Sequence, residues 1–272
     1  MNNFTMRALT GFIFVAVLLG CILFGFQTYA GLFFVITILS LWEFYKLVET
    51  DGIIPQKIAG TIVGGILFIL TTLVFNHTLS PVWLIIIFPF SSVILIVELF
   101  KKAAKPFTNI AFTLLGLLYV AVPFSLLNLL VFPVFLNGVY TPQILVGSFY
   151  ILWSSDTGAY LSGRAFGKHK LFERISPKKT WEGLVGGGLI SIGIANLIAC
   201  YYTQLSRLDW TIIAIIIVVF GALGDLVESM FKRSIDAKDS GNILPGHGGL
   251  LDRFDGLLVS VSFVAAYLLL VK

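Results

Sequence analysis

The chain has 272 residues, 58% of them hydrophobic and 12% charged, with a mean hydropathy of +0.98 and a formal net charge of +4. Soluble domains carry about 25% charged residues, so the composition excludes a water-soluble globular protein and makes the bilayer the natural solvent. The basic balance requires no nucleic-acid partner: there is no basic arm interleaved with aromatics, and cytoplasmic cations beside anionic headgroups account for the charge.

Hydrophobic runs that cross a bilayer need roughly 17–25 residues, and about nine candidates follow one another along the chain. They cover 8–24, 30–47, 58–75, 82–100, 110–132, 144–163, 181–202, 211–231 and 249–271. The expected fold class is therefore an all-α polytopic membrane protein of about nine transmembrane helices. No small-residue cleavage site follows the first run, which is read as a retained helix and not a signal peptide. Cys21 and Cys200 fall inside predicted spans, with neither ligand spacing nor a disulfide pattern, and are read as buried thiols.

Alternating the loops across these spans puts sixteen of the eighteen Lys and Arg residues on one side, leaving only Arg207 and Lys272 on the other. The positive-inside rule then predicts a cytoplasmic N-terminus and a cytoplasmic 232–256 loop. Residues 1–143 read as scaffold helices with few polar groups. Glu43 and Glu98 lie near helix ends there, with Lys46, Lys101 or Lys102 as candidate partners. Residues 144–272 read as the catalytic region of the same integrated membrane domain.

That second half carries Asp156, Glu182, Asp225, Glu228, Asp252 and Asp255 in or at the edges of predicted spans. A charge at a helix centre costs about 2.5–3.5 kcal/mol on insertion scales, so these acids call for an ion, a partner or a wet cavity. In the eighth span Asp225, Glu228, Ser229 and Lys232 recur at i, i+3, i+4 and i+7, on one helical face. A Glu228–Lys232 salt bridge would explain part of that stripe but not Asp225, a turn deeper. Asp252 and Asp255, at i and i+3, are expected on one face of the last helix. A dipole-favoured N-terminal acid is the plainer reading of either one alone. Facing carboxylates of Asp225 and Asp252 would repel without a cation between them, and a hard divalent ion such as Mg²⁺ suits oxygen ligands shared with phosphates.

Between these spans Lys232, Arg233 and Lys238 supply positive charge, while Gly241, Gly246, Gly248 and Gly249 permit close backbone approach to a phosphate. His247 sits among the glycines, where ligand contact and a structural role both remain open. Upstream, Ser154, Ser155 and Asp156 interrupt the sixth span, and the basic loop behind it ends in Lys178 and Lys179 before a capping Thr180. A positive-inside loop alone would read similarly. Acids for a metal, cations for phosphates and glycine-rich backbone together point to phosphoryl or nucleotidyl transfer on a lipid phosphate. No Walker A motif is present.

The stretch from Ser229 to Asp255, SMFKRSIDAKDSGNILPGHGGLLDRFD, resembles the signature of the phosphatidate cytidylyltransferase (CDP-diacylglycerol synthase) family. Ser229, Lys232, Arg233, Lys238, Asp239, Gly241, Leu244, Pro245, His247, Gly248, Gly249, Asp252, Arg253 and Asp255 meet its fixed positions. DTGAY at Asp156 and SPKKTWEG at Ser176 are similar to further family segments. The resemblance implies transfer of CMP from CTP to phosphatidic acid by a polytopic enzyme of the bacterial inner membrane, a homodimer among membrane lipids. It also implies Mg²⁺ dependence, with K⁺ as a companion ion and Asp225 and Asp252 as the paired metal ligands. Asp225, Asp252, Lys178, Lys179 and Asp156 are then the catalytic candidates. Ser229, Lys232, Arg233, Lys238, His247, Gly248, Gly249 and Arg253 are the substrate-binding ones. A polyprenol kinase, an enzyme of archaeal-type ether lipids or a transporter are the rival readings; the length of the signature and the one-sided acids argue against them.

Overall fold

The computed structural model of the chain describes residues 3–49, 52–237, 239–241, 243 and 248–272. The helical expectation holds. Six helical stretches among the described residues are long and apolar enough to cross a membrane: Phe26–Val48, Lys57–Phe75, Pro81–Phe100, Pro106–Leu136, Trp181–Tyr201 and Arg207–Ser234. Ala8–Phe24 and Asp255–Val271 are shorter apolar helices. The chain divides into two compact units, each described by itself.

The N-terminal unit comprises Met1–Tyr140 and Asp239–Phe254. Its helices are α1 (Asn3–Phe24), α2 (Phe26–Val48), α3 (Lys57–Phe75), α4 (Ile87–Phe100), α5 (Pro106–Gly116) and α6 (Val122–Val131). A π-helical turn, Leu117–Ala121, joins α5 to α6 directly before Pro123, where the ring removes an amide donor and the regular ladder cannot continue. Tyr45 shows why α2, α3 and α5 approach closely. Its ring lies where a Cβ at Gly60 or Gly116 would stand, and its hydroxyl donates to Thr113 O at 2.9 Å.

Two buried polar knots help hold this unit together. Asn128 Oδ1 accepts from Thr72 Oγ1 (3.0 Å) and Tyr29 Oη (3.3 Å), while its Nδ2 donates to Thr71 Oγ1 (3.0 Å). Glu98 accepts from Gln56 Nε2 and Asn109 Nδ2, each at 2.7 Å, and meets Lys101 at 3.7 Å. The pairing expected of Glu98 is therefore present.

The C-terminal unit comprises Thr141–Lys238 and Asp255–Lys272. It contains α7 (Pro142–Phe166), α8 (Trp181–Tyr201), α9 (Arg207–Ser234) and α10 (Asp255–Val271). Small residues let α7 and α8 touch backbone to backbone. A Cβ on Gly187 would come 2.6 Å from Ser155 O, and one on Gly158 would come 3.0 Å from Gly187 Cα. This is the packing that substitutes for a hydrophobic driving force inside lipid. Ser206 and Asp209 form a reciprocal capping box that starts α9. Asp209 also accepts from Tyr267 Oη (2.6 Å) and pairs with Lys272 (2.7 Å), fastening the end of α10 to the start of α9.

One departure from an all-helical chain lies between α7 and α8. The expected basic loop is an antiparallel hairpin of β1 (Lys170–Phe172) and β2 (Ser176–Thr180), with Lys170 opposite Thr180 and Phe172 opposite Ser176. Both strands are edges, so Pro177 costs no ladder bond that a third strand would need. Glu182, in the first turn of α8, accepts from the backbone N–H of Lys168 (3.1 Å) and His169 (3.2 Å), which closes the hairpin onto the helix.

Candidate active site

α9 carries the predicted stripe. Ser229 Oγ donates to Asp225 Oδ1 at 3.4 Å, and Lys232 Nζ lies 3.3 Å from Glu228 Oε1. The salt bridge thus accounts for the outer turn only, and Asp225 has its own partner: Lys179 Nζ, from β2, forms an ion pair with Asp225 Oδ2. Asp156 on α7 and Asp255 at the head of α10 lie near enough to feel the charge of Asp225 and of Lys179. Four elements of one unit therefore place these charged side chains within electrostatic reach of one another.

Lys178 and Lys179 were expected as a pair, and the strand separates them. Lys179 meets Asp225, while Lys178 is exposed. Arg233, one residue beyond Lys232 at the end of α9, is also exposed.

Asp252 belongs to the other unit. It sits in a single 3₁₀ turn, Leu251–Arg253, and α10 begins only at Asp255. The expectation that Asp252 and Asp255 share a helical face is corrected here. Phe254 breaks the helical path with φ −121° and ψ 6°, because its ring is buried against Phe14, Phe33 and Phe124. Asp225 and Asp252, expected to face one another, lie in different units.

The carboxylate of Asp252 is gripped by backbone. Ser240 N–H donates to its Oδ1 (3.2 Å) and Oδ2 (3.1 Å), and Gly249 N–H donates to Oδ2 at 2.8 Å. Gly248 adopts φ +81°, and a Cβ there would stand 2.8 Å from Asp252 Oδ2. Glycine is needed for both reasons. Arg253 is exposed beside the turn. Lys238 and His247, both expected at the substrate, lie outside the described residues, as do Leu244, Pro245 and Gly246.

Sequence reasoning placed Glu43 in the scaffold with Lys46 as partner. Lys46 is exposed; Glu43 is 4% exposed and turned toward the glycine-rich segment, where its Oε2 accepts from Leu251 N–H at 2.8 Å. The usable signal was an acid inside a 23-residue apolar helix. A plausible lysine three residues on concealed it.

Among the described residues, no three His, Cys, Asp or Glu side chains form a ready metal cage.

Comparison with known proteins places the chain in a family. The model of the cytidylyltransferase family matches residues 5–271. The phosphatidate cytidylyltransferase of Staphylococcus haemolyticus is 32% identical over 93% of this chain and 94% of its own length. Enzymes of the same name from Staphylococcus saprophyticus and Staphylococcus aureus are 42% and 40% identical, each over 62% of either chain. A match of nearly the whole chain, through both units and every residue of the acidic cluster, makes this protein a member of the cytidylyltransferase family.

Proposed function

We propose that this protein transfers CMP from CTP to phosphatidic acid, giving CDP-diacylglycerol and pyrophosphate in phospholipid synthesis. The observation that carries the reading is the Lys179–Asp225 ion pair, with Asp156 and Asp255 of the same membrane-embedded unit within electrostatic reach of it. Such a cluster offers oxygen ligands for a cation and a cation for a phosphate side by side. The name shared by the relatives and the family match support the choice of substrates.

A phosphate oxygen of phosphatidic acid, anionic near neutral pH, attacks the α-phosphorus of CTP. The new P–O bond forms as the bond to the β-phosphate bridge breaks, and pyrophosphate leaves with its electron pair. The nucleophile needs no strong base, which suits a site built of acids and lysines. Lys179 contributes positive charge beside Asp225; Lys178, Lys232, Arg233 and Lys238 extend it for the triphosphate and the lipid phosphate. Ser229 orients Asp225 through its hydroxyl. The family resemblance assigns Gly248, Gly249, His247 and Arg253 to substrate binding.

Asp156, Asp225 and Asp255 outnumber Lys179, and carboxylate oxygens are the hard donors that Mg²⁺ takes, with phosphates and water completing its shell. Asp225 and Asp252 are assigned to hold it, Asp156 assists directly or through water, and K⁺ is the companion ion. When bound, the metal neutralises charge on the transferring phosphates. The one-sided Lys and Arg distribution supports a cytoplasmic site and N-terminus. The family resemblance supports a homodimer.

The test is purified enzyme in detergent with phosphatidic acid and α-³²P-CTP, with and without Mg²⁺, beside Asp225→Ala and Asp252→Ala. Label should enter lipid only with Mg²⁺ and be lost in both variants. Folded wild type that labels no lipid would remove the assigned reaction.

A further inference from the structure

We infer that Glu43 is a positioning residue for the transfer reaction: its buried carboxylate sets the glycine-rich turn that presents Asp252. What Asp252 does in this statement rests on the reaction proposed above; how Asp252 is held rests on geometry alone.

Glu43 lies near the end of α2, flanked by buried Phe44 and Tyr45, and Tyr45 is locked by its bond to Thr113 O. The carboxylate therefore projects from a rigid support. Its Oε2 takes the N–H of Leu251, the residue directly before Asp252, across 208 positions of sequence. Its Oε1 occupies the space where a Cβ of Gly241 or of Gly249 would stand. That oxygen leaves no room for a side chain at Gly241, and with the Ser240 hydroxyl none at Gly249.

Gly249 links the two acids. Its Cα packs against Glu43, while its N–H donates to Asp252 Oδ2 at 2.8 Å. Ser240, whose N–H also holds Asp252, has its hydroxyl beside the same spot, where a Cβ on Gly249 would overlap it. One carboxylate holds the turn from behind and the other closes it from the front. A shift of Glu43 must move the donors that orient Asp252.

Stability does not explain an acid at this position. A buried carboxylate without an ion pair is costly. Glu43 has no salt bridge among the described residues, and its partners there are the Leu251 N–H and the neighbouring Ser240 of the same turn. An apolar side chain would pack α2 at lower cost but would release Leu251 N–H and leave the two glycines facing a void.

The test compares Glu43→Ala, Glu43→Gln and Gly241→Ala by steady-state kinetics, thermal stability and hydrogen exchange over residues 248–254. Glu43→Ala should lower kcat by about 100-fold, the scale of a small misplacement of a reacting group, with KM for CTP little changed and exchange at Leu251 accelerated. Glu43→Gln keeps a carbonyl that accepts the Leu251 N–H and should recover most of the rate and the slow exchange. Gly241→Ala should lower kcat in the wild-type background, but much less in Glu43→Ala, where its methyl has room. Wild-type kcat in Glu43→Ala, no recovery in Glu43→Gln, or independent effects of the Gly241 and Glu43 changes would each overturn the inference. If Glu43→Ala does not fold, the Gln and Gly241 variants decide. Wild type without transferase activity would remove the reaction, and exchange at Leu251 would still judge the geometry.

Discussion

Glu98 and Glu43 look alike in the sequence and behave as opposites in the fold. Both are acids near helix ends in the N-terminal unit, both are at least 96% buried, and both have a lysine three residues further on. Glu98 is saturated: Gln56 and Asn109 donate to its two oxygens, and Lys101 lies 3.7 Å away. Glu43 takes one backbone N–H on Oε2 and sets its other oxygen against glycines of the Asp252 turn. The difference teaches that a buried acid whose partners all belong to the scaffold braces it. One aimed at a turn with a catalytic candidate serves that turn.

The largest effects should come from the acids at the two ends of the proposed reaction. Asp225→Ala and Asp252→Ala should each lower kcat by about 1,000-fold or more, on the scale seen when a principal electrostatic contact of a transition state is removed. Rates are read with saturating substrates and checked against a folded fraction. A variant of either residue with wild-type kcat would end its catalytic assignment.

The comparison itself is sharpened by Glu98→Ala beside Glu43→Ala. Loss of Glu98 strands Gln56, Asn109 and Lys101, and should destabilise the protein by about 3 kcal/mol, the usual cost of breaking a buried charged network. Per folded molecule, kcat should stay near wild type. Glu43→Ala should show the reverse pattern, a kinetic loss larger than its thermal shift. Thermal unfolding in detergent, paired with active-site-normalised rates, separates the two. Equal kinetic losses would erase the distinction.

A smaller effect separates Lys179 from Lys178. Lys179→Ala removes the partner of Asp225 and should lower kcat/KM by about 10- to 100-fold, the worth of a charged hydrogen bond. Lys178 is exposed, and Lys178→Ala should cost only about 3-fold, as screened surface charges do. Reversal of that order would mean that Lys178, not Lys179, meets the triphosphate.

Local pattern made much of this legible. Apolar length gave the spans, helical spacing gave the Asp225–Lys232 stripe, and a shared helix end offered Lys101 or Lys102 to Glu98. Signature residues marked the Asp252 turn. What stayed hidden was set by distant contacts. The Phe254 ring, buried among Phe14, Phe33 and Phe124, ends the turn before α10 can begin, so Asp252 and Asp255 part company despite helical spacing. Glu43 finds its partner 208 residues away, and no periodicity reports that. The β1–β2 hairpin arises in a stretch of lysines whose composition suggests only a charged loop, and within it only Lys179 reaches Asp225 while Lys178 is exposed.

The smallest predicted effect tests whether saturated polar groups are structural in the C-terminal unit too. Thr180 is buried at the junction of β2 and α8, where its Oγ1 accepts from Gly183 N–H at 3.2 Å and caps the helix. Thr180→Val keeps the side-chain volume and removes that acceptor, which should cost about 1 kcal/mol of stability. Its bond is internal to the scaffold, as those of Glu98 are, so kcat should be unchanged. Thr180 also directly follows Lys179, and a frayed first turn of α8 would loosen the strand that aims it. A kcat loss larger than that of Lys178→Ala, relieved by Thr180→Ser, would therefore show that the cap positions Lys179 against Asp225. A thermal shift alone would place Thr180 with Glu98 as a brace.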